Sequence, residues 1–396
     1  MRSRVRAVWL ASAALVALVP TTAAAAYSSP APSRPAIARP LSWRVVPSPD
    51  RLANDELFGV TCLSVRSCTA VGSGGGKTLV EGWNGTAWSI VPSRNRSGFG
   101  ELLGVSCISA SACTAVGWSQ SPASGAQPRT LVETWNGTAW SIVPSPNPDT
   151  GQDPDVLSSV SCVTAAFCAA VGEYGPADAA EPVTEIWNGR TWSVAPSPRK
   201  LDDAGLVSVS CVSTTVCTAV GFQYQQTVIE SWNGHRWSLA PSPDRSSDPA
   251  LYGVSCISVS ACTAVGGYFD DAADPPAEQT LTESGNNSGL SVVPSPNTGG
   301  AGAENSLASV SCASRGACIA VGSVSGGSVP NGATLMEAWN GTKWSIVPGL
   351  ITRGFATSLY GVSCPSATMC MATGARYTSS SQDSGQTLTE LGTSSG

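Results

Sequence analysis

Histidine is almost absent from this 396-residue chain, and charge of either sign is scarce. The only histidine is His235, and charged residues make up 12% of the chain. The shortage of histidine disfavours a Ser-His-Asp triad and a histidine-ligated copper site. The net charge of -6 disfavours the basic surface that nucleic-acid binding needs, so we expect neither a nucleic-acid nor another polyanion partner.

Long apolar runs are also missing after the first residues, so we expect no membrane span. The N-terminus has three arginines (Arg2, Arg4, Arg6), an apolar stretch over 7–19 and small residues over 23–26, a pattern typical of a signal peptide. We therefore predict a signal peptide over 1–26, a flexible Pro/Ser/Ala leader over 27–40 and a single domain over 41–396. The mature protein is expected to be secreted, extracellular and monomeric.

Most of the chain is a repeated unit. Its consensus is L-x-G-V-S-C-x5-C-x-A-V-G, a variable stretch, and T-L-x-E-x-W-N-G-x-x-W-S-x-V-P-S-P. Each unit has four short runs rich in Val, Thr, Ile and Trp, which predict strands A to D. In the second unit these strands are expected near 103–107, 113–117, 130–135 and 140–143, with Asn136-Gly137 as the C-to-D turn. A meander of four antiparallel strands is one propeller blade.

The two ends of the repeat array are complementary. A D-type segment, Trp43 to Pro47, precedes the first A strand, and the last unit stops after its C strand at 387–391. If the first segment completes the last blade, seven blades close into a ring without an exposed sheet edge. We therefore predict an all-β, seven-bladed β-propeller closed by the N-terminal strand. An open β-solenoid is the alternative, and it would leave both ends incomplete.

Over residues 41–392 the unit resembles kelch-like and BNR-like propeller repeats. The shared features are a glycine at the end of strand B, an aromatic residue in strand C, a tryptophan opening strand D and a proline-containing exit. Val-Gly replaces the kelch Gly-Gly doublet, and each unit adds a cysteine pair. Such propellers serve as enzymes, lectins and interaction platforms, so the resemblance implies an architecture and not an activity.

Every unit contains one Cys-x5-Cys pair around the A-to-B turn. A disulfide can bridge this hairpin in an oxidising compartment, and each small loop contributes about 2 kcal/mol in the chain-entropy model. Zinc binding by these pairs is the alternative, but structural zinc sites use closer spacing. We expect seven intra-blade disulfides, with no metal and no cofactor. The pairs are Cys62 and Cys68, Cys107 and Cys113, Cys162 and Cys168, Cys211 and Cys217, Cys256 and Cys262, Cys312 and Cys318, and Cys364 and Cys370.

Two further residue types recur in strands C and D. Tryptophan pairs such as Trp135 and Trp140 are expected to lie on one face of the C–D hairpin. A glutamate stands two residues before the first tryptophan position in every unit. These glutamates are Glu81, Glu133, Glu185, Glu230, Glu283, Glu337 and Glu390. Catalytic carboxylates need different environments, so we expect structural hydrogen bonds to backbone or to an indole N–H, and no catalytic residue is assigned.

The B-to-C and D-to-A connections vary in length and share one face of the predicted ring, so this face is the candidate binding surface. It carries aromatic residues outside the consensus, which are suited to stacking on a sugar or gripping a peptide. The candidate binding residues are Trp118, Tyr174, Phe222, Tyr224, Tyr268, Phe269 and Tyr377. The alternative is that these aromatic residues only cover the ends of the blades on this face.

The same loops contain acidic clusters, for which solvated charge is favoured over calcium binding. The clusters are Asp149, Asp153 and Asp155; Asp202 and Asp203; and Asp270, Asp271 and Asp274. Glycosylation sequons at Asn84, Asn136 and Asn340 are explained by the hairpin turn alone.

Three functions remain open. The first is a non-catalytic binding module for carbohydrate or protein. The second is a carboxylate-based glycoside hydrolase or lyase of the sialidase-like propeller type, which needs two acidic residues in one pocket. The third is a structural surface protein. Arg94, Arg129, Arg199, Arg245 and Arg376 offer no recognisable arginine triad for a sialidase.

Overall fold

The computed structural model describes residues 40–51, 54–94, 98–148, 153–176, 179–198, 203–243, 247–348, 355–377 and 385–394. The predicted signal peptide and nearly all of the leader lie outside these residues, as do Asp149, Asp202, Arg199 and Arg245. No helix in the described part of the chain is long and apolar enough to cross a membrane.

The described residues form seven separate four-stranded antiparallel sheets. Strand A of blades 1 to 7 is β2 (Asp55–Ser64), β6 (Phe99–Ser109), β10 (Asp155–Thr164), β14 (Ala204–Ser213), β18 (Ala250–Ser258), β22 (Ala303–Ser314) and β26 (Ala356–Ser366). Strand B is β3 (Ser67–Gly74), β7 (Ala112–Gln120), β11 (Phe167–Tyr174), β15 (Val216–Gln223), β19 (Ala261–Asp270), β23 (Ala317–Gly326) and β27 (Met369–Tyr377).

The two outer strands follow in the same blade order. Strand C is β4 (Lys77–Trp83), β8 (Arg129–Trp135), β12 (Glu181–Trp187), β16 (Gln226–Trp232), β20 (Ala277–Asn286), β24 (Val329–Trp339) and β28 (Gly385–Thr393). Strand D is β5 (Trp88–Ile90), β9 (Trp140–Val143), β13 (Trp192–Val194), β17 (Trp237–Leu239), β21 (Gly289–Val292), β25 (Trp344–Ile346) and, for blade 7, β1 (Ser42–Val45). Strands A and B of the second blade are longer than predicted.

The N-terminal strand closes the ring. β1 pairs with β28 in antiparallel register, with Trp43 opposite Gly392 and Arg44 opposite Leu391. Strand A of each blade contacts strand A of both neighbours, including β2 with β26. The seven-bladed propeller is therefore a closed ring, as the complementary ends of the repeat predict.

Glycine allows the inner strands to approach one another. A Cβ atom on Gly104 would lie 2.9 Å from the Cα of Ser159 in the next blade, and one on Gly253 would lie 2.9 Å from the Cα of Ser309. Strand A has a bulge immediately before this position in every blade. In the first blade, Leu57 pairs with Gly72 and Gly59 pairs with Val71, so Phe58 is the extra residue. The consensus L-x-G therefore encodes a bulge followed by a close contact between blades.

Hydrogen bonds also connect successive blades near the disulfides. The serine before the first cysteine accepts a bond from the backbone N–H of the equivalent cysteine in the next blade. The serines that accept such a bond are Ser106, Ser161, Ser210, Ser255, Ser311 and Ser363, with N–O distances of 2.9–3.1 Å. The apolar clusters likewise lie between blades; one joins Leu57 and Trp83 of blade 1 to Met371 of blade 7. The core is thus a series of inter-blade layers.

The cysteines and tryptophans pair as predicted. All seven disulfides join cysteines six positions apart within one A–B hairpin, and no cysteine is free. Trp135 lies opposite Trp140 with ring centroids 5.8 Å apart, and four other blades have the same pair at 5.6–5.7 Å. In blade 5 the equivalent pair is Gly285 and Leu290.

Candidate functional site

Two faces of the ring differ in construction. The turn face carries the A–B turns and the four-residue C–D turns. In blade 2 the turn is held by the Asn136 side-chain oxygen, which accepts from the backbone N–H groups of Thr138 and Ala139. The loop face carries the variable B–C and D–A connections together with the adjoining ends of strands A, B and C. The predicted binding aromatics all lie on the loop face or at the strand ends beside it.

The seven strand C glutamates are buried, each at most 1% exposed. Six of them accept a hydrogen bond from a serine hydroxyl of the preceding blade. Each serine lies in the segment that follows strand D, which we call the exit of that blade. The pairs are Ser48 with Glu81, Ser93 with Glu133, Ser145 with Glu185, Ser197 with Glu230, Ser242 with Glu283 and Ser295 with Glu337, at 2.5–3.2 Å.

The sequence predicted a backbone or indole N–H donor for these glutamates and did not predict a serine hydroxyl. The principal donor is a serine hydroxyl of the neighbouring blade, and the indole N–H groups of strand C bond elsewhere: Trp135, for example, donates to the carbonyl of Ala110 at 3.1 Å. A backbone N–H contributes at one site, from Arg94 to Glu133 at 3.4 Å. Because the serine and the glutamate lie in adjacent blades, each pair is a hydrogen bond between one blade and the next.

Glu390 departs from this rule. Among the residues that the structure describes, neither of its buried carboxylate oxygens has a hydrogen-bond partner. The sequence has Gly349 where the other exits have serine, although residue 349 itself lies outside the described residues. Burial raises the pKa of Glu390 to about 7. Burial likewise raises the pKa of Glu185 to about 8 and those of Glu81, Glu230 and Glu337 to about 7.

A polar and aromatic cluster joins blades 7 and 1 on the loop face. The Tyr377 hydroxyl donates to the Glu56 carboxylate at 3.0 Å and lies 2.9 Å from the Tyr360 hydroxyl. Because Tyr377 has one hydroxyl hydrogen, Tyr360 is the donor to Tyr377. The Tyr360 ring lies 5.7 Å from the ring of Phe58, in the next blade. Burial raises the pKa of Glu56, and its hydrogen bond to Tyr377 opposes that shift.

Trp118 extends this cluster into blade 2. Trp118 lies opposite Glu101 on strands B and A. Burial raises the pKa of Glu101 and the neighbouring Glu56 carboxylate adds to the shift, whereas hydrogen bonds from Trp118 and Ser73 oppose it. We call Glu56, Phe58, Glu101, Trp118, Tyr360 and Tyr377 the mouth cluster. It contains two neighbouring carboxyls held by aromatic side chains.

Two more pairs of carboxyls lie around the same face. Glu173 and Asp203 line a cleft of about 200 Å³ with Phe222. Burial raises the pKa of Glu173, and the negative charge of Asp203 raises it further. Burial also raises the pKa of Glu278, with an additional contribution from Glu304. Three pairs of mutually repelling carboxyls are thus spread around the inner part of the loop face.

The structure does not gather the seven predicted aromatics into one site. Trp118 and Tyr377 belong to the mouth cluster, and Phe222 lines the cleft with Glu173 and Asp203. Tyr174 donates to Glu181 at 2.7 Å and packs against an inter-blade core, as Tyr268 does. Tyr224 is 68% exposed in its B–C turn. Phe269 pairs with Glu278 in the B–C hairpin of blade 5.

Sequence reasoning missed the carboxyls and two of the aromatics of the mouth cluster. Glu56 and Glu101 immediately precede the consensus leucine of strand A, and Phe58 and Tyr360 occupy the bulge position just after it. These are the variable positions inside an otherwise constant strand. Comparing the seven units at such positions, as well as in the loops, would have found them.

The acidic loop residues have separate environments. Asp155 is fully buried and forms an ion pair with Arg129. The Asp271 carboxylate accepts from the Ser247 hydroxyl. Within the part of the chain that the structure describes, no group of three or more His, Cys, Asp or Glu side chains is arranged to hold a metal ion.

Known structures share the architecture. The sequence matches no protein-family model and no curated protein, so the kelch-like and BNR-like resemblance stays a prediction. YCF48 bound to D1 peptide superposes with a TM-score of 0.55 and 8% identity, over 90% of this chain and 97% of that one. U3-55K superposes with a TM-score of 0.58 and 9% identity, over 88% of this chain and 98% of that one. The GH74 xyloglucanase from Xanthomonas campestris superposes with a TM-score of 0.52 and 12% identity, over 88% of this chain and 55% of that one. These likenesses show the propeller fold alone.

Proposed function

We propose that this chain is an extracellular, non-catalytic binding propeller whose loop face binds a basic segment of a partner protein. The observation that carries the proposal is the set of three carboxyl pairs, Glu56 with Glu101, Glu173 with Asp203 and Glu278 with Glu304. In each pair burial raises the pKa of one carboxyl, and the negative charge of the other raises it further. A lysine or arginine side chain placed between two such carboxylates would relieve their repulsion and gain charge-assisted hydrogen bonds.

The aromatic residues of the mouth cluster favour the same ligand. Trp118, Tyr360 and Phe58 offer ring surfaces beside the carboxyls, and an arginine guanidinium stacks on such rings while it bonds a carboxylate. The disulfide in each blade fits an oxidising, extracellular location. YCF48, a propeller of the same architecture, binds a peptide, which supports a peptide as the class of ligand.

Fluorescence anisotropy with labelled arginine- and lysine-rich peptides, beside a panel of glycans, tests this function. We expect the basic peptides to bind and the affinity to fall with salt. Glu101→Gln and Trp118→Ala should each weaken binding about tenfold, the loss of one charge-assisted contact. Tyr224→Ala is the matched control, because this loop-face aromatic lies outside the mouth cluster. Glycan binding that Trp118→Ala abolishes would instead establish a lectin, and binding of neither probe would refute a loop-face receptor.

The cleft beside Phe222 gives one reason to consider glycoside hydrolysis as a second function. Glu173 and Asp203 line the same cleft, and burial raises the pKa of Glu173, as a general acid requires. Incubation with polysaccharides followed by chromatography of the products tests this activity. Products that appear with the wild type and are lost with Glu173→Gln would establish the enzyme, and an unchanged substrate would exclude it.

A further inference from the structure

The turn face has the opposite charge to the loop face. None of the seven Cys-x5-Cys segments and none of the C–D turns between residues 83 and 344 contains Asp or Glu. The ionisable residues of these turns, all exposed, are Arg66, Arg190, His235, Arg236, Arg315 and Lys343. A chain with a net charge of -6 therefore has a face whose turns carry only basic side chains.

A groove between blades 5 and 6 opens on this face. It has a volume of about 290 Å³, and its lining includes Ile257, Gly285, Trp339, Arg315 and the Cys312–Cys318 disulfide. Gly285 stands where blades 1, 2, 3, 4 and 6 have the strand C tryptophan. The repeat is therefore interrupted at the wall of this groove.

The groove between blades 2 and 3 is the internal comparison. It lies at the equivalent place, has a volume of about 200 Å³ and is lined by Trp135 and Ala165. Trp135 aligns with Gly285, and Ala165 aligns with Arg315. The blade 5–6 groove is thus the larger of the two and has a cation that the other lacks.

The Arg315 side chain bonds to the neighbouring blade at the edge of its groove. Its guanidinium donates to the hydroxyls of Ser258 and Ser260 in the neighbouring blade. The Trp339 indole N–H donates to the Arg315 carbonyl at 3.0 Å. Among the described residues, no acidic side chain forms an ion pair with Arg315. A cation held in place without a counter-charge needs little further ordering to bind an anion.

Exposed apolar side chains accompany this cation. Ile257 is 37% exposed, and Val259, two residues further along the same A–B turn, is 55% exposed. A polyanion without apolar groups would leave these side chains in water. A peptide that carries both an acidic and an aliphatic side chain would cover them and pair with Arg315 at once.

We propose that the blade 5–6 groove on the turn face is a second binding site, for a peptide segment in which an aspartate or glutamate adjoins an aliphatic residue. The carboxylate pairs with the Arg315 guanidinium, and the aliphatic side chain enters the groove between Ile257 and Trp339. The partner differs in charge from the basic segment proposed for the loop face, and the two sites lie on opposite faces.

Anisotropy of the full chain with a labelled peptide containing adjacent leucine and aspartate residues tests the second site. We expect wild-type binding, a loss of about tenfold in Arg315→Ala and a smaller loss in Ile257→Ser. Arg66→Ala, which removes a turn-face cation far from the groove, should bind as the wild type does. The loop-face variant Glu101→Gln should also bind normally, so a failure here is distinguishable from a failure of the loop-face proposal.

Three results would overturn the proposal. The first is no binding of the leucine–aspartate peptide by the wild type. The second is equal binding of a serine–aspartate peptide, or an equal loss in Arg66→Ala, because either shows general charge attraction and no groove. The third is concentration-dependent dimerisation of the wild type in sedimentation that Arg315→Ala abolishes, since a second copy would then occupy the face.

Discussion

Ser145, at the exit of blade 2, donates its hydroxyl hydrogen to both carboxylate oxygens of Glu185 in blade 3, at 3.0 and 2.8 Å. The two residues are forty positions apart and belong to different sheets. The glutamate is fully buried, so its carboxylate depends on this donor for its polar contact. The same contact recurs at five other blade boundaries.

Removing the donor should therefore weaken the ring. We expect Ser145→Ala to lower the free energy of unfolding by about 2 kcal/mol, the cost of leaving a buried polar group without its hydrogen bond. Urea unfolding followed by tryptophan fluorescence measures the change. Ser141→Ala is the control, because Ser141 is an exposed strand D serine. An equal free energy of unfolding for the two variants would refute a stabilising role for the Ser–Glu pairs.

Stability should fall as the pH rises. Burial raises the pKa of Glu185 from its ordinary value of 4.5 to about 8, so the folded chain holds more protons than the unfolded chain between these values. The free energy of unfolding therefore decreases with pH over that interval. Calorimetry should give the highest melting temperature near about pH 5 and a decline toward pH 8. Glu185→Gln should make this decline shallower without abolishing it, because the other buried glutamates still contribute. A melting temperature that increases from pH 5 to pH 8 would contradict the assignment.

Glu390 should behave differently from its six counterparts. Within the described ranges no donor bonds to it, so replacing it with an apolar side chain removes a buried charge and leaves no serine hydroxyl without an acceptor. We expect Glu390→Met to stabilise the protein at pH 8 by about 1 kcal/mol or more. Glu185→Met is the matched variant and should gain less, because the Ser145 hydroxyl then loses its acceptor. Thermal melts at pH 8 compare the two, and a larger gain for Glu185→Met would refute the explanation.

The N-terminal strand should be required for a closed ring but not in its present position along the chain. Deleting residues 40–47 exposes the edge of β28, so we expect a lower melting temperature and self-association. A circular permutant that carries 40–47 after residue 396 through a short flexible linker should restore the melting temperature and the monomer. Light scattering and calorimetry follow both properties. A deletion variant as stable as the full chain would show that β1 contributes nothing to closure.

Much of the fold was predictable because seven copies of one unit show which residues recur at each position. The unmatched D-type segment around Trp43 and the missing D strand after Glu390 predicted the closure that the pairing of Trp43 with Gly392 confirms. The cysteine spacing predicted the disulfides. The partner of the strand C glutamate was not predictable in this way, because the consensus shows that Ser145 and Glu185 recur but not that the exit of one blade meets strand C of the next.

The candidate site was less accessible to sequence reasoning. Tyr377 and Glu56 are 321 positions apart and meet because the ring closes. Selecting aromatic residues outside the consensus found Trp118 and Tyr377 but also Tyr174 and Tyr268, which pack against the inter-blade cores. The net charge did not predict that the carboxyl pairs and the basic turns lie on different faces, because it is a sum over the whole chain and does not show where each charge lies.

The serine donors all run in one direction, from each blade to the blade that follows it, and the sequence interrupts the series at Gly349. The first and last strands, β1 and β28, pair inside blade 7, whereas the serine is missing at the boundary between blades 6 and 7. Opening of the ring would then begin between blades 6 and 7, beside Glu390. Amide hydrogen exchange would detect this seam as the earliest loss of protection along β28, while strand C of blade 3 stays closed.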